Sequence, residues 1–203
     1  ENLNLLNADP TAEEYVQGML IFENDTLSPV GIRYKGSIGA FVGCVDGPNW
    51  FEPSGAKICT KLSMKIKINW VGRSEKFYGL KKLQFHSMNN DDSQMHERAG
   101  YWLFRQMGVP APRAVHARLN INGIYIGVYA LVEQIDNRFV KENFDDDEGN
   151  LYKEIWPLNS DGTPNSVDNY LDALKTNEND NPRVELIWDF GQKIAEASEE
   201  DLQ

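Results

Sequence analysis

The segment RAVHARLNINGIYIGVYALVEQID constrains the fold of this chain more than any other part of the sequence. Apolar and polar residues alternate along it on both sides of Asn122-Gly123. Asn-Gly is the preferred pair for a type I′ turn, because both residues adopt positive φ at low cost and the turn matches the twist of the flanking strands. The sequence therefore predicts an antiparallel β-hairpin here.

The segment KLSMKIKI (61–68) has the most regular alternation outside the hairpin. One face carries apolar side chains and the other carries lysines and a serine, which is the pattern of a half-buried strand. The apolar set is Leu62, Met64, Ile66 and Ile68, and the polar set is Lys61, Ser63, Lys65 and Lys67.

Further strands and one helix complete the first part of the chain. Residues 18–36 indicate two strands joined by a turn near Ser28-Pro29, and LKKLQFH (80–86) indicates another. The helix predicted in SQMHERAGYWLFRQM can be capped by Asp92 or Ser93 and ends at Gly108. This order predicts an α+β fold, an antiparallel sheet with one packed helix.

The chain becomes acidic and irregular after about residue 140, and helical patterns follow. VDNYLDALKT and RVELIWDFGQKIAEA predict two helices, and Ser198 with Asp201 resembles the capping box of a third. We expect residues 1–140 to form one domain and residues 141–203 to be a linker and the beginning of a helical lobe.

Charge is distributed unevenly along the chain, whose net charge is −11. Residues 31–120 carry 14 Lys and Arg against 6 Asp and Glu, whereas residues 121–203 carry 6 against 19. The acidic total argues against a nucleic-acid partner, and there is no run of about 18 apolar residues that could form a transmembrane segment. The basic middle is suited to a phosphorylated small molecule, with ordinary surface charge as the alternative for any single lysine.

The two cysteines, Cys44 and Cys59, enclose a loop that contains Gly, Pro and Trp. Neither has a His or Cys neighbour at the spacing of a zinc site. A cross-link would stabilise the fold by removing chain entropy from the unfolded state. We predict a disulfide, which implies an oxidising compartment; two free thiols are the alternative.

Familiar catalytic motifs are absent from the sequence or occur out of context. Asp189-Phe190-Gly191 matches the DFG tripeptide of protein kinases, but no HRD motif precedes it and it falls inside a predicted helix, with Phe190 toward the apolar side. There is no P-loop or GxGxxG motif. The three histidines, His86, His96 and His116, show no ligand spacing and are interpreted as structural or surface groups.

The order of strand, capped helix with Glu97, hairpin and linker is that of a protein-kinase small lobe, in which a strand lysine holds nucleotide phosphates and a helix glutamate holds the lysine. The strings GIRYKG, KLSMKIKIN, FYGLKKLQFHSM, GVPAPR, NGIYIG, VEQID and GNLYKE, in this order between about residues 30 and 155, resemble the CotH kinase family. The MxE motif at Met95 to Glu97 belongs to the same resemblance.

The resemblance implies a secreted or surface-associated atypical kinase that transfers phosphate from ATP to Ser or Thr of extracellular proteins. Lys65 is expected to bind the nucleotide phosphates and to pair with Glu97. Lys61 or Lys67 would take this role if the strand had a different register. Backbone groups near residues 132–134 are expected to form hydrogen bonds with the edge of the adenine base. The residues that match the family motifs are Arg33 and Lys35 in RYKG, Lys61, Ser63 and Lys65 in KxSxK, Glu97 in MxE, and Glu133, Gln134 and Asp136 in VEQID.

The metal-binding and catalytic aspartates of the family are expected downstream of Gln203, so the bound Mg²⁺ or other divalent cation has no assigned residue here. The chain is then the nucleotide-binding half of a kinase, inactive alone. In two alternatives the chain has the same fold but no kinase activity. The first is an extracellular binding or adhesion module that holds an anionic surface partner, and the second is a structural element of a matrix.

Overall fold

The computed structural model describes residues 1–146, 149–153, 155–174, 184–198 and 200, and the chain forms two units, Glu1–Gln134 and Ile135–Gln203. The first unit contains α1 (Asn2–Ala8), β1 (Val16–Phe22), β2 (Asp25–Tyr34), α2 (Ile38–Phe41), β3 (Met64–Lys67), β4 (Lys82–His86), α3 (His96–Gln106), β5 (Ala114–Ile121) and β6 (Ile124–Val132). The described part of the second unit contains α4 (Asn137–Asn143), α5 (Val167–Ala173) and α6 (Val184–Glu196).

The six strands form one antiparallel sheet in the order β1-β2-β3-β4-β6-β5. The predicted hairpin joins β5 to β6, and its turn residues Asn122 and Gly123 have φ of 50° and 82°. Both values are positive, as a type I′ turn requires. The α+β class is therefore confirmed.

One face of the sheet builds the core of the first unit. The alternation of β3 predicted this, because side chains two residues apart lie on the same face. The buried side chains of the core include Val30, Tyr34, Leu62, Met64, Ile66, Ile68, Leu83, Phe85 and Tyr129.

The turn predicted near Ser28-Pro29 is wrong, because both residues lie inside β2 and the connection to β1 is at Glu23 and Asn24. The pairing of β1 with β2 shifts register between Gly18 and Leu20, opposite the proline. Proline has no N–H for a sheet ladder and is accepted in strands at edges and irregularities. The sequence alone did not reveal that irregularity.

The helix α3 is capped differently from the prediction. Its first amide, the N–H of His96, donates to Asp91 Oδ2 at 2.8 Å rather than to Asp92 or Ser93. None of its residues is buried. Tyr101 packs against the small apolar cluster of β5 and β6, while Trp102, Leu103 and Phe104 remain at least half exposed.

The predicted disulfide between Cys44 and Cys59 is present. Cys44 is buried in the core and Cys59 packs against it. Inside the loop, the Ala56 N–H donates to Asp46 Oδ1 at 2.6 Å, and a β-bridge joins Val45 to Lys57. The loop is therefore cross-linked by both covalent and hydrogen bonds.

In the second unit, Asp189, Phe190 and Gly191 lie inside α6, as predicted, but Phe190 is 55% exposed and Gly191 is buried. A Cβ at residue 191 would lie 2.8 Å from the Tyr170 hydroxyl. Of the three residues, Gly191 is therefore the one that packs inside the second unit. The capping box predicted at Ser198 includes Asp201, which is outside the described residues. No helix within the described residues has both the length and the apolarity to cross a bilayer.

Candidate functional site

The polar face of the sheet, opposite the core, carries cationic side chains on three adjacent strands. The register places Arg33 of β2 opposite Lys65 of β3, and Lys67 of β3 opposite Lys82 of β4. Arg33 forms a salt bridge to Glu13 with an N–O distance of 2.7 Å. Like charges opposite each other across strands are destabilising on their own. This face is therefore electrostatically suited to an anion.

A chain of hydrogen bonds links the end of β2 to helix α3 through β4. Glu97 Oε2 lies 2.7 Å from His86 Nδ1, and the other ring nitrogen, His86 Nε2, lies 2.8 Å from Lys35 Nζ. The backbone N–H of Lys35 donates to the Ser63 carbonyl at 2.9 Å, which aligns Lys35 with β3. The structure thus brings Lys35, Ser63 and Glu97 together around His86.

The partners of His86 determine its proton arrangement. A carboxylate only accepts hydrogen bonds and an ammonium only donates them. Both contacts are satisfied when His86 donates from Nδ1 to Glu97 and accepts at Nε2 from Lys35, as in the Nδ1–H tautomer. The three side chains form one directional series of donors and acceptors.

The loop between β4 and α3 begins at a pair of buried serines. The Ser87 N–H donates to Ser63 Oγ at 2.9 Å, and the two hydroxyl oxygens are 3.2 Å apart. Ser63, predicted as a site residue, therefore positions the start of this loop. Its contacts are structural ones within the sheet.

Asp91 organises the end of the same loop. Its carboxylate accepts from the Ser93 N–H at 3.0 Å, from the Ser93 hydroxyl at 2.5 Å and from the His96 N–H at 2.8 Å. Burial of the carboxyl group acts to raise its pKa, but the hydrogen bonds from Ser93 and from the His96 amide outweigh it and hold the pKa of Asp91 below its ordinary value.

We expect Asp91→Asn to lower the melting temperature at pH 7, because an amide oxygen accepts these hydrogen bonds more weakly than a carboxylate does. Since the folded pKa is depressed, this stabilisation is complete above the unfolded-state pKa of about 4 and is lost as the pH falls through the folded value. The difference between wild type and variant should therefore shrink on the acid side. Melting curves from neutral to strongly acidic pH test this, with Asp92→Asn as the exposed control. A difference that stays constant with pH would contradict it.

A cavity of about 300 Å³ lies between α2 and the loop after β4. Gly39 and Ala40 form one side, Ser87 and Asp91 belong to the other, and Glu97 contributes to its wall. Its volume is at the small end of the range for ligand sites. The cavity is two hydrogen bonds away from the ammonium group of Lys35, through Glu97 and His86.

The two alternative lysines of the prediction have different surroundings. Lys61 Nζ donates to the Val128 carbonyl at 2.8 Å and lies 5.2 Å from the centre of the Tyr129 ring. Burial lowers the pKa of its ammonium group, and phosphate binding by Lys61 would require this contact to break. Lys67 lies 5.9 Å from the rings of both Tyr15 and Trp70. The pairing of Lys65 with Glu97 stays a prediction.

The residues of the VEQID motif make mainly local contacts. Glu133 Oε2 accepts from Arg113 Nε at 3.1 Å, and the Glu133 N–H donates to the Arg113 carbonyl at 2.9 Å. Gln134 Oε1 is buried without a hydrogen-bond partner in the part of the chain that the structure describes. Asp136 caps α4 by accepting from the Arg138 N–H at 3.0 Å. An adenine base could accept a hydrogen bond from the Glu133 N–H only if the carbonyl of Arg113, which now accepts it, moved away.

The fit of a divalent cation can be tested on the side chains that are present. Across the described ranges, no three His, Cys, Asp or Glu side chains are grouped so as to hold a metal ion. No step is assigned to the ion.

His86, Ser87 and Asp91 are not among the site residues predicted from the sequence, and the structure places them in contact with Glu97 or at the wall of the cavity. One signal was available for His86. The alternation of LKKLQFH places it on the face opposite Leu83 and Phe85, the face that carries the lysines of the neighbouring strand.

A family model described as CotH kinase protein matches residues 32–203, which is most of the chain. No curated protein matches the chain.

Proposed function

This chain belongs to the CotH kinase family, and from that premise we propose that it binds the triphosphate of ATP on the polar face of its sheet and serves the phosphorylation of Ser or Thr in secreted or surface proteins. In this proposal residues 1–140 are the kinase-like small lobe. The observation that supports it most directly is the group of cations that share one face of β2, β3 and β4.

The charge of the ligand explains why this face suits it. A nucleoside triphosphate carries several negative charges within a few ångströms, and phosphoryl transfer depends mainly on positioning and on electrostatic stabilisation. Lys65 lies between Arg33 and Gln84 in the register, at the centre of this face. We assign the ammonium of Lys65 to the phosphates, while bound Mg²⁺ would shield the phosphate charge when present.

A location outside the cytosol follows from the same proposal. The Cys44–Cys59 disulfide is stable in an oxidising compartment, and such bonds are rare in the cytosol of most organisms. An extracellular protein substrate is the partner that this location implies.

Titration of the protein with ATP and with adenosine tests the proposal. We expect ATP to bind and adenosine to bind much more weakly, with ATP affinity falling as salt is added, because the phosphates supply the charge. Lys65→Ala should weaken ATP binding about tenfold, the size of a lost charge-assisted hydrogen bond. Lys76→Ala, at an exposed lysine outside the sheet, is the matched control. Absence of ATP binding by wild type across a range of divalent cations would overturn the proposal.

A non-catalytic binding module is the second candidate. The exposed side chains of Trp102, Leu103 and Phe104 on α3 favour it, because large exposed apolar side chains commonly contribute to protein contacts. Transfer of labelled phosphate to a protein acceptor by the full-length protein separates the two candidates: transfer that is lost in Lys65→Ala supports the kinase, whereas ATP binding without transfer by that full-length protein supports the module.

A further inference from the structure

We infer that His86 is a positioning residue for the nucleotide site, and that Lys35, which it orients, is a second phosphate-binding cation beside Lys65. This inference rests on the proposed function. The contact expected from the sequence is between Lys65 and Glu97, and it stays a prediction. The structure adds a different lysine, Lys35, which reaches Glu97 through the imidazole of His86.

The first step of the argument is geometric. The distances of 2.7 Å from Glu97 to His86 and 2.8 Å from His86 to Lys35 are those of good hydrogen bonds. The side chains of His86 and Glu97 are 21% and 30% exposed, so the series lies near the surface of the polar face rather than in the core. A ligand approaching this face can reach it.

The second step concerns direction. In the Nδ1–H tautomer, the carboxylate of Glu97 polarises the ring and makes Nε2 a better acceptor for the Lys35 ammonium. A lysine side chain has four rotatable bonds and loses considerable entropy when it is held in one place. Holding Lys35 before the ligand arrives reduces the entropy that binding would otherwise cost.

The third step is that the bond to His86 is compatible with phosphate binding. An ammonium group has three N–H donors, so donation to His86 does not prevent donation to a phosphate oxygen. The backbone of Lys35 is itself held by the Ser63 carbonyl at 2.9 Å. Lys35 is therefore restrained at both ends of its side chain.

The substitution His86→Ala tests the role, with His86→Gln as the conservative variant. Glutamine offers one acceptor and one donor, as the neutral imidazole does. We expect His86→Ala to weaken ATP binding about tenfold and His86→Gln to restore affinity to within about threefold of wild type. Adenosine binding should change in neither variant, since a purely structural defect would weaken both ligands.

A double-mutant cycle gives the second readout. If His86 acts through Lys35, the combination of Lys35→Ala with His86→Ala should bind ATP no more weakly than Lys35→Ala alone. Additive losses, equal losses for ATP and adenosine, or wild-type affinity in His86→Ala would each overturn the inference while leaving the proposed function intact. Failure of the wild-type protein to bind ATP would instead remove the proposed function on which the inference rests.

Discussion

Replacement of both Cys44 and Cys59 by serine is expected to lower the free energy of unfolding by about 3 kcal/mol, the loop-entropy value for a cross-link that closes about 15 residues. The two cysteines are 15 positions apart in the sequence. The loss is felt by the whole first unit, because Cys44 is buried in the core of the sheet. The variant also places a hydroxyl group at this buried position.

Chemical denaturation of the oxidised wild type and of the double serine variant measures this effect. A reducing agent supplies the control, because it should destabilise wild type by a similar amount and leave the variant unchanged. The hydrogen bonds within the loop, such as Ala56 N–H to Asp46, remain available in both proteins. If the reducing agent leaves the unfolding curve of wild type in place, the disulfide contributes nothing to the stability of the fold.

Substitution of Gly127 by alanine is the other large effect that the structure predicts, with an expected cost of about 2–4 kcal/mol. Gly127 lies in β6 with a φ of 145°, a backbone conformation that residues other than glycine rarely adopt. A Cβ there would lie 2.8 Å from Lys61 Cδ. The side chain of Lys61 passes over this glycine to donate to the Val128 carbonyl.

Thermal or chemical unfolding of four variants separates the two causes: Gly123→Ala, Gly127→Ala, Lys61→Ala and the Lys61→Ala/Gly127→Ala double variant. Gly123→Ala also has a positive φ, of 82°, but no atom lies within 4 Å of its added Cβ, so it reports the cost of a left-handed φ without crowding. Gly127→Ala should be clearly less stable than Gly123→Ala. In a Lys61→Ala background, the Gly127→Ala substitution should cost less, because the crowding side chain has been removed. An equal cost of Gly127→Ala in the wild-type and Lys61→Ala backgrounds would show that the contact with Lys61 is unimportant.

The contact between Lys61 and Gly127 joins two of the segments that resemble the CotH kinase family. The second glycine of NGIYIG, Gly127, contacts the first lysine of KLSMKIKIN, Lys61. These two residues are more than sixty positions apart in the sequence, and they pack against each other. Lys61 therefore has a structural explanation that does not involve a nucleotide.

The role of the predicted residues in nucleotide binding stays a prediction, but their positions in the structure can be compared with the sequence. The sequence placed Lys35, Ser63 and Glu97 among the candidate residues, and the structure brings all three together. It did not predict that His86 would lie between Lys35 and Glu97. A lone histidine at the end of a short strand carries no spacing pattern that distinguishes a site residue from a surface residue.

Local physical chemistry explains what the sequence by itself determined. Alternation along β3 assigned the core face, and Asn122-Gly123 specified the turn between β5 and β6, because both signals depend only on neighbours along the chain. The partner of Glu97 depends instead on the register of β2, β3 and β4 and on where α3 packs. Lys65 of β3 and His86 of β4 lie on the same face of the sheet. A shift of two residues in the pairing of β3 with β4 would change which side chains of β3 lie beside His86 and Glu97. Only the tertiary structure decides that register, because it is set by the packing of distant side chains in the core.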